Sequence, residues 1–315
     1  MFSIEIKNEH GFEKILLKDD DRQIRATVLP GCGALLHAWE IQREGNSFNV
    51  IDGYDSREDF DEHAESRGFR GSKLSPFVCR LREGTYSFNG HDYRVNGFYL
   101  GNHAIHGLLY RKKFTSVLPD ARQDHASVSM KYAYRSEDPG YPFDYDCSVT
   151  WVLSDNGLLS VVTECTNRDR VVIPLQDGWH PYFRLGGTVD DWTLQFRSRE
   201  MVEFDEALLP TGRLIPFETF RSPRKIGDTS LDNCFRLDAG EKGPACTLVN
   251  EANGIGVDIL PDASYPYLQL YIPPHRTSIA IENLSGAPDG FHNGMGVTLL
   301  QPGTAVTFRT AYRFR

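Results

Sequence analysis

Cys147-Ser-Val-Thr-Trp-Val-Leu-Ser-Asp-Asn-Gly-Leu-Leu-Ser-Val-Val-Thr163 holds two alternating runs around a turn. Cys147, Val149, Trp151 and Leu153 fall on one side of an extended chain, and Leu159, Val161 and Thr163 on one side of the next. Side chains along a strand point alternately to opposite faces, so a period of two reads as a half-buried strand. Asp155-Asn156-Gly157 supplies residues that tolerate a tight turn. The stretch predicts an antiparallel β-hairpin.

The same pattern recurs outward from it. Val128, Met130, Tyr132 and Tyr134 alternate before it. Tyr86 and Phe88 face Tyr93 and Val95 across Asn89-Gly90, a pair suited to the positive φ angles of a two-residue hairpin turn. Phe2, Ile4 and Ile6 open the chain as a strand, followed by Ile15–Leu17, Gln23–Leu29 and Ala34–Ile41. Later strands are expected at 194–196, 247–249, 255–259, 267–272, 278–281 and 306–314. No 12-residue stretch carries a convincing 3.6-residue apolar period. Many short strands with frequent turn signals predict an all-β fold, a large antiparallel β-sandwich. Sandwiches of this kind often exceed 200 residues as one unit, so a single domain over residues 1–315 is expected. The acid-rich Asp55–Glu65 reads as a surface loop or short helix.

Composition narrows the function. The 315 residues carry a net charge of −9, which disfavours nucleic acid and anionic membranes as partners. No run of 18 apolar residues exists, and no basic segment followed by an apolar core opens the chain. The six cysteines are scattered without a C-x-x-C pair, and read as reduced and structural. A cytoplasmic protein is expected.

Polar groups interrupt the strand pattern at five places. Arg80 ends an apolar run, Leu74–Cys79. His103 and His106 stand three apart in a β context, which puts them on opposite sides and argues against a shared metal. His180 lies in Gln176-Asp-Gly-Trp-His-Pro-Tyr-Phe183, where Pro181 favours extended geometry at the residue before it. Asp232 precedes Asn233, a pair that reads locally as a turn. Glu282 closes the apolar strand Ile279-Ala-Ile281, where a solvated carboxylate is out of place. The chain has no glycine-rich phosphate cradle and no G-x-S-x-G elbow. Histidines, a Glu, an Asp and an Arg among aromatics suit acid–base work on a polar neutral molecule such as a sugar.

These residues resemble the aldose 1-epimerases (mutarotases) of the galactose mutarotase-like superfamily. Pro76–Arg80 with Gly84–Phe88 resembles the family's proline–arginine stretch and following hairpin. Asn102-His-Ala-Ile-His-Gly107 is similar to its asparagine and His-Gly signature, with His106 as the signature histidine, and Gly178–Phe183 to its His-Pro-Tyr-Phe segment. Leu209–Gly212 resembles its Pro-Thr-Gly turn, Leu231-Asp232 its substrate-binding aspartate, and Ile281-Glu282 with Pro288-Asp289-Gly290 its catalytic glutamate segment. Cys79 stands where many relatives have Asn, and Asn283 where many have Pro.

The resemblance implies an isomerase of carbohydrate metabolism that interconverts the α and β anomers of a free aldohexose. It implies Glu282 as general base on the O1 hydroxyl, His180 as general acid at the ring oxygen, and His106 beside that oxygen. Arg80 and Asp232 would hold hydroxyls, with Trp179 and Tyr182 as support or a sugar-stacking wall. It implies no metal and no organic cofactor. Two rivals share the fold: a hexose-6-phosphate 1-epimerase, for which Arg221, Arg224 and Lys225 form the obvious basic run, and a non-catalytic carbohydrate-binding protein.

Overall fold

The Cys147–Thr163 stretch folds as strands Tyr145–Ser154 and Leu158–Asn167, paired antiparallel in the computed structural model. The turn behaves as its residues dictate: Asn156 Oδ1 accepts the Leu158 N–H at 3.1 Å, and Gly157 has φ +72°. The structure describes residues 1–43, 45–240 and 242–315.

This hairpin supplies the third and fourth strands of a nine-stranded sheet. The order is Thr115–Ala121, His125–Tyr134, Tyr145–Ser154, Leu158–Asn167, Ala305–Phe314, Ile255–Ile259, Cys246–Asn250, Thr193–Phe196 and Arg224–Lys225. Ala305–Phe314 is therefore inserted between strands made roughly 50 and 140 residues earlier, about one strand spacing from each. A second sheet runs Pro210–Pro216, Ser198–Phe204, Asp232–Leu237, Tyr267–Tyr271, Ile279–Leu284, Gly178–His180 and Ser72–Leu74, with Tyr182–Phe183 also pairing to Ile279–Leu284. The first 49 residues form a five-stranded meander. Among the described residues the α-helices are Arg57–His63 and Gly290–Asn293, so the all-β expectation holds.

The two large sheets meet through their aromatic faces. Trp151 of the first packs edge-on against Trp179 of the second, with ring centres 5.4 Å apart. Trp39 and Phe183 pack on Tyr312. One charged pair lies in this layer: Lys73 Nζ is 2.5 Å from the Asp177 carboxylate, with both side chains fully covered. Tyr265 donates to the same carboxylate at 2.7 Å, and the Lys73 ammonium stands 4.4 Å from the Trp179 ring centre. Such a buried charge persists only with its partners in place.

Local sequence decides some connections, and strand pairing overrides it at others. The Asp55–Glu65 segment folds as the helix Arg57–His63, because the Ser56 hydroxyl accepts the Asp59 N–H at 3.1 Å and Glu58 and Asp59 lie in the first turn. Asp232-Asn233 is not a turn but the start of a strand, paired residue for residue with Tyr271 and Leu270. Cross-strand pairing overrides the turn preference of the two side chains. Pro210-Thr-Gly likewise begins a strand, and the turn lies just before it, where Asp205 Oδ1 accepts the Ala207 and Leu209 N–H groups. The Asn89-Gly90 hairpin forms as expected, with φ +50° and +77°.

Candidate active site

Strand register builds the centre of the site. Gly178 pairs with Leu284 and Trp179 with Asn283, and further along Tyr182 pairs with Ala280. The same register sets His180 opposite Glu282. Alternation then divides the faces: Trp179 and Asn283 point between the sheets, while His180 and Glu282 point outward into a cleft. His180 Nε2 is 3.2 Å from Glu282 Oε1.

The cleft encloses about 730 Å³ and brings together residues far apart in sequence. Arg80, His106, His180, Tyr182, Asp232 and Glu282 all line it. Tyr182 stacks on His180 with rings 5.1 Å apart and nearly parallel, and His106 meets His180 edge-on at 4.8 Å. Gln269, cross-strand neighbour of Glu282, donates to Asp232 Oδ1 at 2.9 Å. The Arg80 guanidinium makes no hydrogen bond or ion pair among the described residues, although Glu62, Glu65, Asp232 and Glu282 line the same cleft. Arg70 and Arg67, by contrast, are tied to Asp52 at 3.0 Å and Asp59 at 2.8 Å.

Unusual backbone holds several of these groups. Phe69, Cys79 and His106 have φ of +59°, +48° and +63°. Non-glycine residues held in the left-handed region cost of order 1–3 kcal/mol each and persist only where their surroundings fix them. For His106 the fixing is visible. Its N–H donates to Cys79 O at 2.9 Å, and the next residue, Gly107, runs so close to Ser75 that a Cβ there would lie 2.3 Å from the Ser75 carbonyl oxygen. The glycine after His106 is thus sterically required.

Burial sets the electrostatics. It pushes the His180 imidazole down to about 3 and drives His106 well below the usual histidine range, helped by the neighbouring His180 and Arg80. It drives the Glu282 carboxyl well above its usual range, and the Asp232 charge adds to that. Asp232 is raised by burial too, against the pull of Arg80. Both shifts in the central pair express one preference: a resting carboxylic acid beside a neutral imidazole. The alternative, carboxylate and imidazolium, holds the same number of protons and differs by one transfer across the 3.2 Å contact.

Of the site residues expected from the sequence, Trp179 is the one that the structure does not bring to the cleft. It is a core residue at the sheet–sheet contact, because neighbours on a strand face opposite ways. His103 and His106 separate as expected: His103 Nδ1 accepts the Glu83 N–H at 3.0 Å away from the pair, and His106 enters the cleft. Sequence reasoning missed Gln269, whose signal was a lone amide in the apolar strand Tyr267–Tyr271. It also missed Cys79, whose Sγ is 3.8 Å from Glu282 Oε2. Nothing about a single cysteine in sequence marks that contact. Cys79, His106 and Glu282 offer three donor atoms within 4.8 Å of one another. All six cysteines are free and buried.

Known proteins resemble this one along most of its length. The family model described as aldose 1-epimerase matches residues 13–313. The chain belongs to the aldose 1-epimerase family. It is an isomerase. Its similarity to a galactose mutarotase from Sus scrofa is 24% identity over 275 residues, covering 82% of this chain and 77% of that one. An aldose 1-epimerase from Streptococcus thermophilus is 21% identical over 96% of this chain and 94% of its own length. Among solved structures, a galactose 1-epimerase from Lactobacillus acidophilus NCFM superposes with a TM-score of 0.81 at 21% identity, covering 100% of this chain and 98% of that one. At that identity the superposition establishes the mutarotase-like fold of this aldose 1-epimerase family member and nothing finer. Among the described residues no helix is long and apolar enough to cross a membrane.

Proposed function

We propose that residues 1–315 form one catalytic domain that interconverts the anomers of a free aldohexose by acid–base ring opening. The observation that carries the reading is the buried contact between His180 and Glu282. Ring opening takes a proton from the O1 hydroxyl and delivers one to the ring oxygen. Both oxygens are bonded to C1, so the base and the acid must stand side by side.

Glu282, as carboxylate, accepts the O1 proton. His180, as imidazolium, donates a proton to the ring oxygen. The C1–ring oxygen bond breaks, its electron pair stays on that oxygen, and C1 becomes an aldehyde carbon. The C1–C2 bond rotates. Closure on the other face reverses both transfers, with Glu282 returning a proton to O1 and His180 recovering the one it gave. Each such group contributes ~10²–10⁴-fold. His106, packed edge-on against His180, fixes that ring and faces the ring oxygen. Arg80 and Asp232 bind hydroxyls, Arg80 with donors that have no other partner among the described residues and Asp232 with an orientation set by Gln269. Tyr182, stacked on His180, walls the site.

A free sugar is favoured over a 6-phosphate. Arg221, Arg224 and Lys225 do not line the cleft, and the arginines that do, Arg80 apart, are already paired with acids. Polarimetry from pure α-D-glucose, α-D-galactose and glucose 6-phosphate tests the reading. Acceleration with a free hexose is expected. Binding without acceleration for every sugar points instead to a carbohydrate-binding protein, and acceleration confined to the phosphate to the other epimerase.

A further inference from the structure

We propose that the cleft floor is also a zinc site, formed by Cys79, His106 and Glu282, and that zinc there excludes the sugar. Three observations carry this. The first is the ligand set. Thiolate, imidazole and carboxylate are the three side-chain donors zinc takes, and these three lie within 4.8 Å of one another on buried residues. The second is distance. Zinc bonds of about 2.0–2.3 Å put tetrahedral ligands roughly 3.3–3.6 Å apart. Cys79 Sγ and Glu282 Oε2 are already 3.8 Å apart, and a movement of about an ångström closes the triangle. The third is a ring not tied up by the protein: His106 Nδ1 is buried with no hydrogen-bond partner among the described residues, and either ring nitrogen can serve as the ligand.

No other group of three such side chains occurs among the described residues, so the site is particular to this cleft. The residue that makes it is Cys79, at the position where a family resemblance leads one to expect an amide. An amide oxygen is a poor zinc ligand beside a thiolate. Binding breaks the Cys79 S–H bond and the Glu282 O–H bond, releases both protons to buffer and forms zinc–sulfur and zinc–oxygen bonds beside the bond from neutral His106, with no change of oxidation state. It also occupies Glu282, so zinc and sugar cannot use the site together. A further donor, His180 Nε2, stands 3.2 Å from the other Glu282 oxygen.

The test has a binding arm and an activity arm. Cd²⁺ is titrated into the folded, reduced protein while thiolate-to-cadmium charge-transfer absorption is followed. Zn²⁺ is titrated during mutarotation. A one-to-one absorption change is expected, together with at least a tenfold loss of rate under Zn²⁺ that excess sugar or EDTA reverses. In C79A the absorption should vanish, and whatever rate that variant has should become insensitive to Zn²⁺; C79S takes its place should C79A not fold. Absorption that persists in the variant, no absorption in the wild type, or equal Zn²⁺ sensitivity of both proteins overturns the proposal. If the protein proves to have no mutarotase activity, the Cd²⁺ titration still decides the site.

Discussion

His180 Nε2 and Glu282 Oε1 stand 3.2 Å apart with both side chains almost fully covered, and burial shifts the two groups in opposite directions. Neither shift is found where the group is solvated. The contact is a product of two paired strands, whose register alone decides which imidazole meets which carboxyl.

Glu282→Gln removes the base and keeps the shape. Mutarotation should fall by about 10²–10⁴-fold. Stability should move the other way. A carboxyl whose folded value is raised contributes stability that is present below its unfolded value and lost as pH rises through the folded value. At pH 8 the variant should therefore melt at or above the wild-type temperature, and the difference should shrink or reverse at pH 4. Polarimetry paired with thermal melts at the two pH values checks this. An active variant would remove Glu282 from the mechanism.

The pH–rate profile should be broad on its acid side. The pair works while it holds one proton. Its second proton binds only when His180 is charged, and burial has moved that down to about 3. So kcat/KM should not fall as pH drops through 6.5, the ordinary histidine value. Initial rates from pH 5 to 9, corrected for the uncatalysed reaction, measure it. A tenfold decline centred near 6.5 would mean that His180 is solvated in the working enzyme.

Arg80→Ala should raise KM without unfolding the protein. Its guanidinium makes no hydrogen bond or ion pair among the described residues, so the melting temperature should hold within a few degrees. A hydrogen bond from a charged donor is worth about 1.5–3 kcal/mol, which corresponds to roughly 10- to 100-fold in KM. Saturation kinetics decide it, and an unchanged KM would leave Arg80 outside the binding step.

Trp179→Phe separates a core residue from a sugar wall. The substitution shortens the ring that meets Trp151 and lies beside Lys73. It should cost about 1–3 kcal/mol in denaturant melts. KM should stay within about twofold, since the side chain does not reach the cleft. A large KM change with little loss of stability would restore it to the site.

Much of the fold was legible because alternation reports burial directly. Tyr145–Ser154 and Leu158–Asn167 each show one buried face in the structure, as Cys147–Thr163 does in the sequence. The site was legible residue by residue. Arg80, His106, His180, Tyr182, Asp232 and Glu282 each stood out, and all six line one cleft. Their distances were not legible, since these depend on pairings between segments up to about 200 residues apart. Trp179 misled for a different reason: the local sequence puts it beside His180, and only the assignment of both to one strand reveals that they face apart. Cys79 was silent because a buried thiol looks the same in sequence whether it packs in a core or touches a carboxylate.

The strand Ala305–Phe314 sits in the interior of the nine-stranded sheet, hydrogen-bonded to Leu158–Asn167 on one side and Ile255–Ile259 on the other. During synthesis that slot stays open until residues 305–314 have emerged from the ribosome. Until then two strand edges are bare and competent to pair with another molecule. The vulnerable interval for this protein is thus the one before Ala305–Phe314 has been made, and crowding by unfinished copies is the hazard that its topology sets.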